Sequence, residues 1–342
     1  MKKLEVALGN RSYNIIFKNG GRKSFAKTFG IAQRRAFIVT DDGVPREYAQ
    51  AVAESFDQAD IYTVPMGEGS KSIGTFGDIL SKMLEVGITR GDVCVAVGGG
   101  VVGDLAGFVS SAYMRGIDFY NMPTTLLSMV DSSIGGKTAV NHGGAKNIVG
   151  AFYQPKGVLI DTETLSTLSK KNFAGGMAEA IKMATTSDED LFVMLEKTPI
   201  DELDTETVIL RSLMIKKAVV EADEREGGLR KILNFGHTYG HAVEAASEMS
   251  ELGHGQCVAI GMMAVSQGEL KERLGRIIKK FDLPTAYAGD REIALSLIST
   301  DKKRQENDID AILVSKIGSC EIRRMSLEEF TELVKKNTGG NL

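Results

Sequence analysis

The sequence predicts an α/β domain built on a parallel sheet, followed by a mostly α-helical domain. Three observations carry this. Short apolar, β-branched runs alternate with helix-like stretches up to about residue 155. One of those runs leads into a glycine-rich segment. Beyond about residue 173 the apolar residues recur every three or four positions, the rhythm of amphipathic helices. Strands alternating with helices favour a parallel sheet with helices on its faces.

In chain order, Arg35–Asp41 (RAFIVTD), Ile61–Val64 and Val93–Val97 (VCVAV) read as strands bounded by charge or glycine. Gly74–Val86 between the last two has helical spacing. Ile117–Met122, before Pro123, and Val158–Asp161 are further strand candidates. Gly175–Leu195, Thr205–Glu224, Lys231–Met249, Gln256–Leu274, Arg291–Ile298 and Leu327–Lys335 are expected helices. Only Asp310–Val314 and Cys320–Arg323 look extended in the second half. The boundary is placed within 155–172, giving domains 1–160 and 161–342. A chain of 342 residues accommodates two domains of roughly 150 residues each.

The net charge of −4 carries no basic excess, which argues against nucleic acid or an anionic membrane as a main partner. An anionic ligand must then be held by a local cluster of cations. Cys94, Cys257 and Cys320 are widely separated and form no CxxC, so they read as unrelated thiols in or near cores. MKKLEVALGN has no apolar run of a signal peptide, and no stretch of 18 apolar residues occurs. A cytoplasmic location is expected.

Ala96–Asp104 reads AVGGGVVGD, with Gly98, Gly100 and Gly103 in a GxGxxG pattern between a strand and a helix. Glycines there let the backbone turn tightly and approach a pyrophosphate held by amides at a helix N-terminus. Strand–glycine–helix junctions also serve packing, so the motif alone leaves both readings open. It lies far from the first strand, unlike the ordinary dinucleotide-binding layout, although the sheet is expected to be Rossmann-like. Asp41, ending a strand, can accept from a ribose hydroxyl or cap a solvated loop.

Three of the four histidines, His237, His241 and His254, fall within 18 residues. His237 and His241 are spaced i, i+4, which on a helix puts both imidazoles on one face and lets them converge on one ion. No HExxH is present. A histidine pair is also often structural. Glu179, in the otherwise apolar helix start GGMAEAIK, is costly to bury unless paired or metal-bound, and Lys182 at i+3 offers a plain ion pair. The segment DSSIGGKTAVNHGGAK suggests Lys137 and Lys146 delivered from tight loops into a cleft. Arg230 and Asn234 lie about a turn apart just before His237, with Lys216 upstream. Around a substrate-binding histidine site such cations can hold a carboxylate or phosphate.

The segments GGGVVGDLAGFVSSAYMRG, MPTTLLSMVDSSIGGKTAVN, AKNIVGAFYQP, GGMAEAIK, DEREGGLRKILNFGHTYGHAVE and HGQCVAIGM, closing on DKK at Asp301–Lys303, together resemble the 3-dehydroquinate synthase family. The resemblance runs from about residue 67 to 303, and Gly98–Pro155 is its most specific stretch. It implies metal ligands Glu179, His237 and His254, usually for zinc with cobalt an alternative, and so directs His241 to the substrate rather than the ion. It implies NAD contacts at Gly99, Gly100, Asp104, Thr124 and Thr125, with Asp41, Glu68 and Lys71 nearer the adenosine. Lys137, Lys146, Thr167 and Leu168 join the cofactor set. Lys137, Lys182, Lys216, Glu226, Arg230, Asn234 and His241 are implied in catalysis. Arg115, Asp131, Lys146, Asn147 and a lysine of the DKK run, Lys302 or Lys303, are implied in substrate binding. Arg115 is expected from the neighbouring subunit of a homodimer. Gly43, Asn172 and Gln256 depart from the family pattern, which more often has Asn, Glu and Glu there.

The family's substrate is 3-deoxy-D-arabino-heptulosonate 7-phosphate. The resemblance implies oxidation at carbon 5 by NAD with zinc polarising the hydroxyl, β-elimination of phosphate, return of the hydride, ring opening and an intramolecular aldol closure to 3-dehydroquinate. This is a phosphate-eliminating carbon–oxygen lyase of the shikimate pathway and aromatic amino acid biosynthesis. The alternatives are another sugar-phosphate cyclase, making an inosose or a valiolone, and a metal-dependent polyol dehydrogenase. Arg230, Asn234 and His241 argue against the first, and DSSIGGKTAVN against the second. A non-enzymatic binding module is hard to reconcile with so many cations beside a metal triad.

Overall fold

A computed structural model describes residues 2–247, 252–298 and 308–339. The chain divides into two compact units, Met1–Ser169 and Lys170–Leu342.

The first unit contains β1 (Lys2–Val6), β2 (Tyr13–Phe17), α1 (Phe25–Phe29), β3 (Ala36–Asp41), α2 (Arg46–Ala53), β4 (Ala59–Val64), α3 (Ile73–Glu85), β5 (Val93–Gly98), α4 (Gly100–Ala112), β6 (Asp118–Pro123), β7 (Lys137–His142), β8 (Ala145–Phe152) and β9 (Gly157–Ile160). Seven strands form one sheet in the order β1-β2-β9-β6-β5-β3-β4. Every neighbouring pair is parallel except β1 on β2. The central strands are apolar on both faces because both faces are covered. On β3 and β5, Ile38, Val93, Val95 and Val97 pack with Phe25, Tyr48 and Val52 of α1 and α2. The alternate residues Phe37, Val39, Cys94 and Ala96 pack with Ile79, Met83, Leu105 and Val109 of α3 and α4.

Two parts of this unit differ from the sequence reading. β1 and β2 form an antiparallel edge that their mixed polar and apolar residues conceal. The segment read as glycine-flanked loops around Lys137 and Lys146 is instead the antiparallel hairpin β7–β8. It packs on α4 through Val140 and Val149. Gly150 permits this pairing, since a Cβ there would lie 2.1 Å from the Thr138 carbonyl oxygen. Residues 161–169 stay with the first unit: Asp161 accepts from the Gly20 amide at 2.9 Å and from Arg22 Nη1 at 2.7 Å.

The second unit contains α5 (Lys170–Ser187), α6 (Glu189–Lys197), α7 (Thr205–Ala222), α8 (His237–Ala246), α9 (His254–Val265), α10 (Gly268–Lys280), α11 (Arg291–Ile298), the hairpin β10 (Asp308–Lys316) with β11 (Ser319–Ser326), and α12 (Leu327–Thr338). Its helical character agrees with the expectation, but three long helices are broken. Asp188 ends α5 and caps α6 by accepting from the Leu191 amide at 3.0 Å. Lys231–Met249 becomes a 3-10 turn, Leu229–Asn234, and then α8, separated by Gly236 in the left-handed region at φ 77°. Ser266 and Gln267 are extended and part α9 from α10. Gly236 and Gly261 let α8 and α9 meet closely: a Cβ on Gly261 would lie 1.9 Å from the Gly236 carbonyl oxygen. No described helix is long and apolar enough to cross a membrane.

Candidate active site

In the second unit, α5, α8 and α9 bring Glu179, His237, His241 and His254 together. Glu179 is wholly buried, and neither carboxylate oxygen accepts a well-formed hydrogen bond among the described residues. His254 Nε2 lies 3.5 Å and His237 Nε2 3.7 Å from Glu179 Oε1. The Lys182 ammonium pairs with Oε2. The ring of His237 lies 5.2 Å from that of His241 and 5.4 Å from that of His254. One nitrogen from each of the three imidazoles falls within 4.8 Å of the others, and His241 is the exposed member.

The other ring nitrogens fix the tautomers. His237 Nδ1 donates to the Phe235 carbonyl at 3.3 Å, and His254 Nδ1 donates to Glu244 Oε2 at 3.3 Å. Each neutral ring therefore presents an Nε2 lone pair toward Glu179. Three Lewis bases facing one another need a cation between them. The gaps fit: two ligands of one tetrahedral ion with bonds of about 2.1 Å lie about 3.4 Å apart. Without an ion a proton must take that place. Burial opposes charge on Glu179, but Lys182, His237 and His254 outweigh it and hold the carboxyl well below its usual range. Burial, then Lys182, keeps His237 far below an ordinary imidazole. Burial pulls His254 down, yet the carboxylates of Glu179 and Glu244 push it up to about 10.

Lys182, Lys216 and Arg230 are all nearly fully buried, a costly arrangement for cations. They lie on α5, α7 and the Leu229–Asn234 turn, elements joined by contacts among Met183, Val219 and Leu233. The Arg230 guanidinium donates to the Glu224 carbonyl at 2.6 Å. Asn234 Nδ2 donates to Glu226 Oε1 at 3.3 Å. Lys302 and Lys303 lie outside the described residues.

In the first unit, the strand order reverses between β3 and β5, the place where open α/β sheets bind ligands beyond their strand ends. Asp41 ends β3 and Gly98 ends the neighbouring β5. Gly99 precedes α4 with no side-chain cap, leaving the first amides of the helix available to an anion. The Thr124 amide donates to the Gly98 carbonyl at 2.9 Å, and a Cβ on Gly99 would lie 3.1 Å from Thr125. Lys71 Nζ lies 2.5 Å from Asp104 Oδ2 and also bonds Asn147 Oδ1. Glu68 accepts from Asn141 at 2.8 Å. The expected cofactor residues Glu68, Lys71 and Asp104, with Asn147 of the expected substrate set, thus tie the start of α4 to the hairpin.

Other expected residues sit further off. Asp41 accepts from the Gly43 and Val44 amides at 2.9 and 3.1 Å, and burial raises its carboxyl despite those bonds. A Cβ at Gly43 would lie 2.3 Å from Sδ of the exposed and flexible Met66 side chain, which can swing aside, so nothing in the structure demands glycine there. Thr167 hydrogen-bonds Tyr48 of α2 at 3.0 Å, and Leu168 follows it. Asp131 lies in the π-helical turn Ser128–Ser132. Arg115, Asn147 and Glu226 are three of the five non-glycine residues with positive φ among the described residues, at 68°, 54° and 63°. Such strain, about 1–3 kcal/mol each, persists only where the surroundings enforce it. Sequence reasoning missed Glu244, whose signal was its position one turn beyond His241.

The sequence matches the profile of the 3-dehydroquinate synthase N-terminal domain over residues 61–175 and that of the C-terminal domain over residues 176–304. It is 41% identical to a 3-dehydroquinate synthase of Streptococcus sanguinis (strain SK36), an alignment covering 98% of this chain and 100% of that protein. The chain belongs to the 3-dehydroquinate synthase family. Another member, from Lactococcus lactis subsp. cremoris (strain MG1363), is 38% identical with the same coverage of both chains. The fold is that of the wider group of cyclases. A 2-deoxy-scyllo-inosose synthase complexed with carbaglucose-6-phosphate, NAD+ and Co2+ superposes with a TM-score of 0.87 at 24% identity, covering 98% of this chain and 100% of that one. A 2-epi-5-epi-valiolone synthase of Streptomyces hygroscopicus subsp. jinggangensis 5008, with NAD+ and Zn2+ bound, gives 0.86 at 24% identity over 97% and 98% of the two chains.

Proposed function

We propose that this family member converts 3-deoxy-D-arabino-heptulosonate 7-phosphate to 3-dehydroquinate and phosphate, with NAD and a divalent ion, zinc or cobalt, as cofactors. The observation that carries it is the convergence of the Nε2 atoms of His237 and His254 on Glu179 Oε1 in a chain that matches the family over its length. We assign Glu179, His237 and His254 to the ion, and the exposed His241 to the substrate.

When bound, NAD supplies reversible hydride acceptance and the divalent ion polarises the hydroxyl to be oxidised. The chain supplies position and charge. In the first unit the free amides after Gly99 take the pyrophosphate, flanked by Gly100, Asp104, Thr124 and Thr125. Lys71 and Glu68 take the adenosine side with Asp41, and Thr167 and Leu168 complete the cofactor set. Arg115, Asp131, Lys137, Lys146 and Asn147 are assigned to substrate. In the second unit Lys182, Lys216 and Arg230 offer cations already stripped of water, so binding a carboxylate or phosphate costs them little further desolvation. Asn234 and Glu226 hold each other in place. His241 is placed to hold or pass a proton of a substrate hydroxyl. Lys302 and Lys303 remain candidates for one more substrate contact. The assembly we propose is a cytoplasmic homodimer.

The test is phosphate release from the heptulosonate phosphate with NAD in catalytic amount. The expected result is many phosphates per NAD without accumulation of NADH. No phosphate under these conditions overturns the reading. Phosphate released instead from sedoheptulose 7-phosphate does not fit, and nor does steady NADH formation from a polyol.

A further inference from the structure

His254 is the first residue of α9, and nothing in its own helix fixes its ring: Gly253 before it has no side chain, and its Nδ1 finds its partner on another helix. That partner is Glu244. On α8, His237, His241 and Glu244 recur at i, i+4 and i+7, so all three share a face. Glu244 Oε2 stands 3.3 Å from His254 Nδ1, and His254 Nε2 stands 3.5 Å from Glu179 Oε1. A carboxylate can only accept, so the proton between Glu244 and His254 belongs to Nδ1. The lone pair is then forced onto Nε2, the nitrogen facing Glu179.

We infer that Glu244 is a positioning residue, which sets the tautomer and the ring angle of His254 and thereby determines how tightly the site holds a divalent ion. The inference rests on the metal site proposed above. His237 receives the equivalent service from the Phe235 carbonyl, which no side-chain substitution can remove. Glu244 is therefore the orienting group open to mutation. Partners of this kind typically govern metal affinity by 10- to 100-fold, through orientation and through the electron density they lend the ring.

The experiment measures zinc affinity by competition with a chelator and records the visible absorption of the cobalt-loaded protein, for the full chain and for Glu244→Ala, Glu244→Gln and Glu244→Asp. Glutamine keeps the length and can accept from Nδ1; aspartate keeps the charge but falls a methylene short. Glu244→Ala is expected to weaken zinc binding by about 10- to 100-fold and to alter the cobalt spectrum. Glu244→Gln should recover part of the affinity and Glu244→Asp less. Wild-type affinity in Glu244→Ala overturns the inference. If Glu244→Ala does not fold, the other two decide: aspartate binding as tightly as glutamine or more tightly means charge, not placement, is what matters, and the inference is wrong. Failure of the wild-type protein to bind zinc or cobalt refutes the metal site itself, a separate outcome.

Discussion

Gly255 of α9 rests directly on Gly175 of α5, so closely that a Cβ on Gly255 would lie 2.1 Å from the Gly175 carbonyl oxygen. The contact sets the separation of Glu179, one turn beyond Gly175, from His254, the neighbour of Gly255. Backbone is on both sides, so nothing flexible can give way. Gly255→Ala must push α9 off α5. Overpacking of this kind costs about 1–3 kcal/mol, and the shift moves one metal ligand away from another. We expect a lower Tm and weaker zinc binding together. A protein with wild-type zinc affinity would show that the helix spacing does not set the site.

Glu179→Gln separates the two roles of that carboxylate. It removes a ligand and leaves Lys182 without its counter-charge in a site where both side chains are at most 2% exposed. Removing one partner of a buried ion pair costs about 3–5 kcal/mol. The variant should lose bound metal and phosphate release, and its melting temperature should fall even with chelator present. Retention of one equivalent of zinc would remove Glu179 from the ligand set.

The strands in the middle of the first unit were legible in the sequence, though not their order in the sheet, because β3 and β5 are buried on both faces and consist of continuous apolar runs. β1 was not, since Lys2, Lys3 and Glu5 point to solvent and leave too few apolar positions to show a period. The hairpin β7–β8 was obscured by Gly143 and Gly144 and by the exposed Lys146, Asn147 and Ile148. Helix breaks were hidden for another reason: Asp188 and Gly236 interrupt the backbone without interrupting the apolar rhythm. At the site, spacing alone suggested that His237 and His241 share an ion. Glu179 lies 58 positions before His237, so no local pattern could reveal that they meet. The cost of burying Glu179 made it a candidate ligand, the resemblance grouped it with His237 and His254 in place of His241, and the geometry brings them together.

Asp223 gives a pH dependence whose sign is fixed. Its carboxylate accepts from the amides of Gly227, Gly228 and Arg230 at 2.8, 2.8 and 3.0 Å, and the Arg230 bond, then those to Gly228 and Gly227, lowers its pKa to about 2. A folded-state pKa below the unfolded value of about 3.9 means the contribution is fully present above pH ~4 and is lost as pH falls toward ~2. In metal-free protein, Asp223→Asn should melt below wild type at pH 6, and the gap should narrow once the pH drops below ~4. A gap that stays constant down to pH 3 would mean the charge on Asp223 is not what holds the turn. The same variant should raise KM for the sugar phosphate, since this turn carries Arg230.

Gln256 departs from the glutamate common in the family, and its amide has a specific task. Nε2 donates to the Lys171 carbonyl at 3.2 Å, joining the first turn of α9 to the first turn of α5 at a position only 8% exposed. An ionised glutamate cannot donate there and would face the carbonyl oxygen with an oxygen of its own. Only the protonated acid restores the bond, so the folded state should raise the pKa of a glutamate placed at 256. With a raised folded pKa, stability is kept below the unfolded value and lost as pH rises through the folded one. Gln256→Glu should therefore melt below wild type at pH 8, by an amount corresponding to about 1–3 kcal/mol for an unsatisfied buried group, and the deficit should shrink toward pH ~4. Measured on metal-free protein by thermal melts across that range, a deficit independent of pH would assign the loss to packing, and no deficit at all would show that the Lys171 bond is dispensable to the joining of α5 and α9.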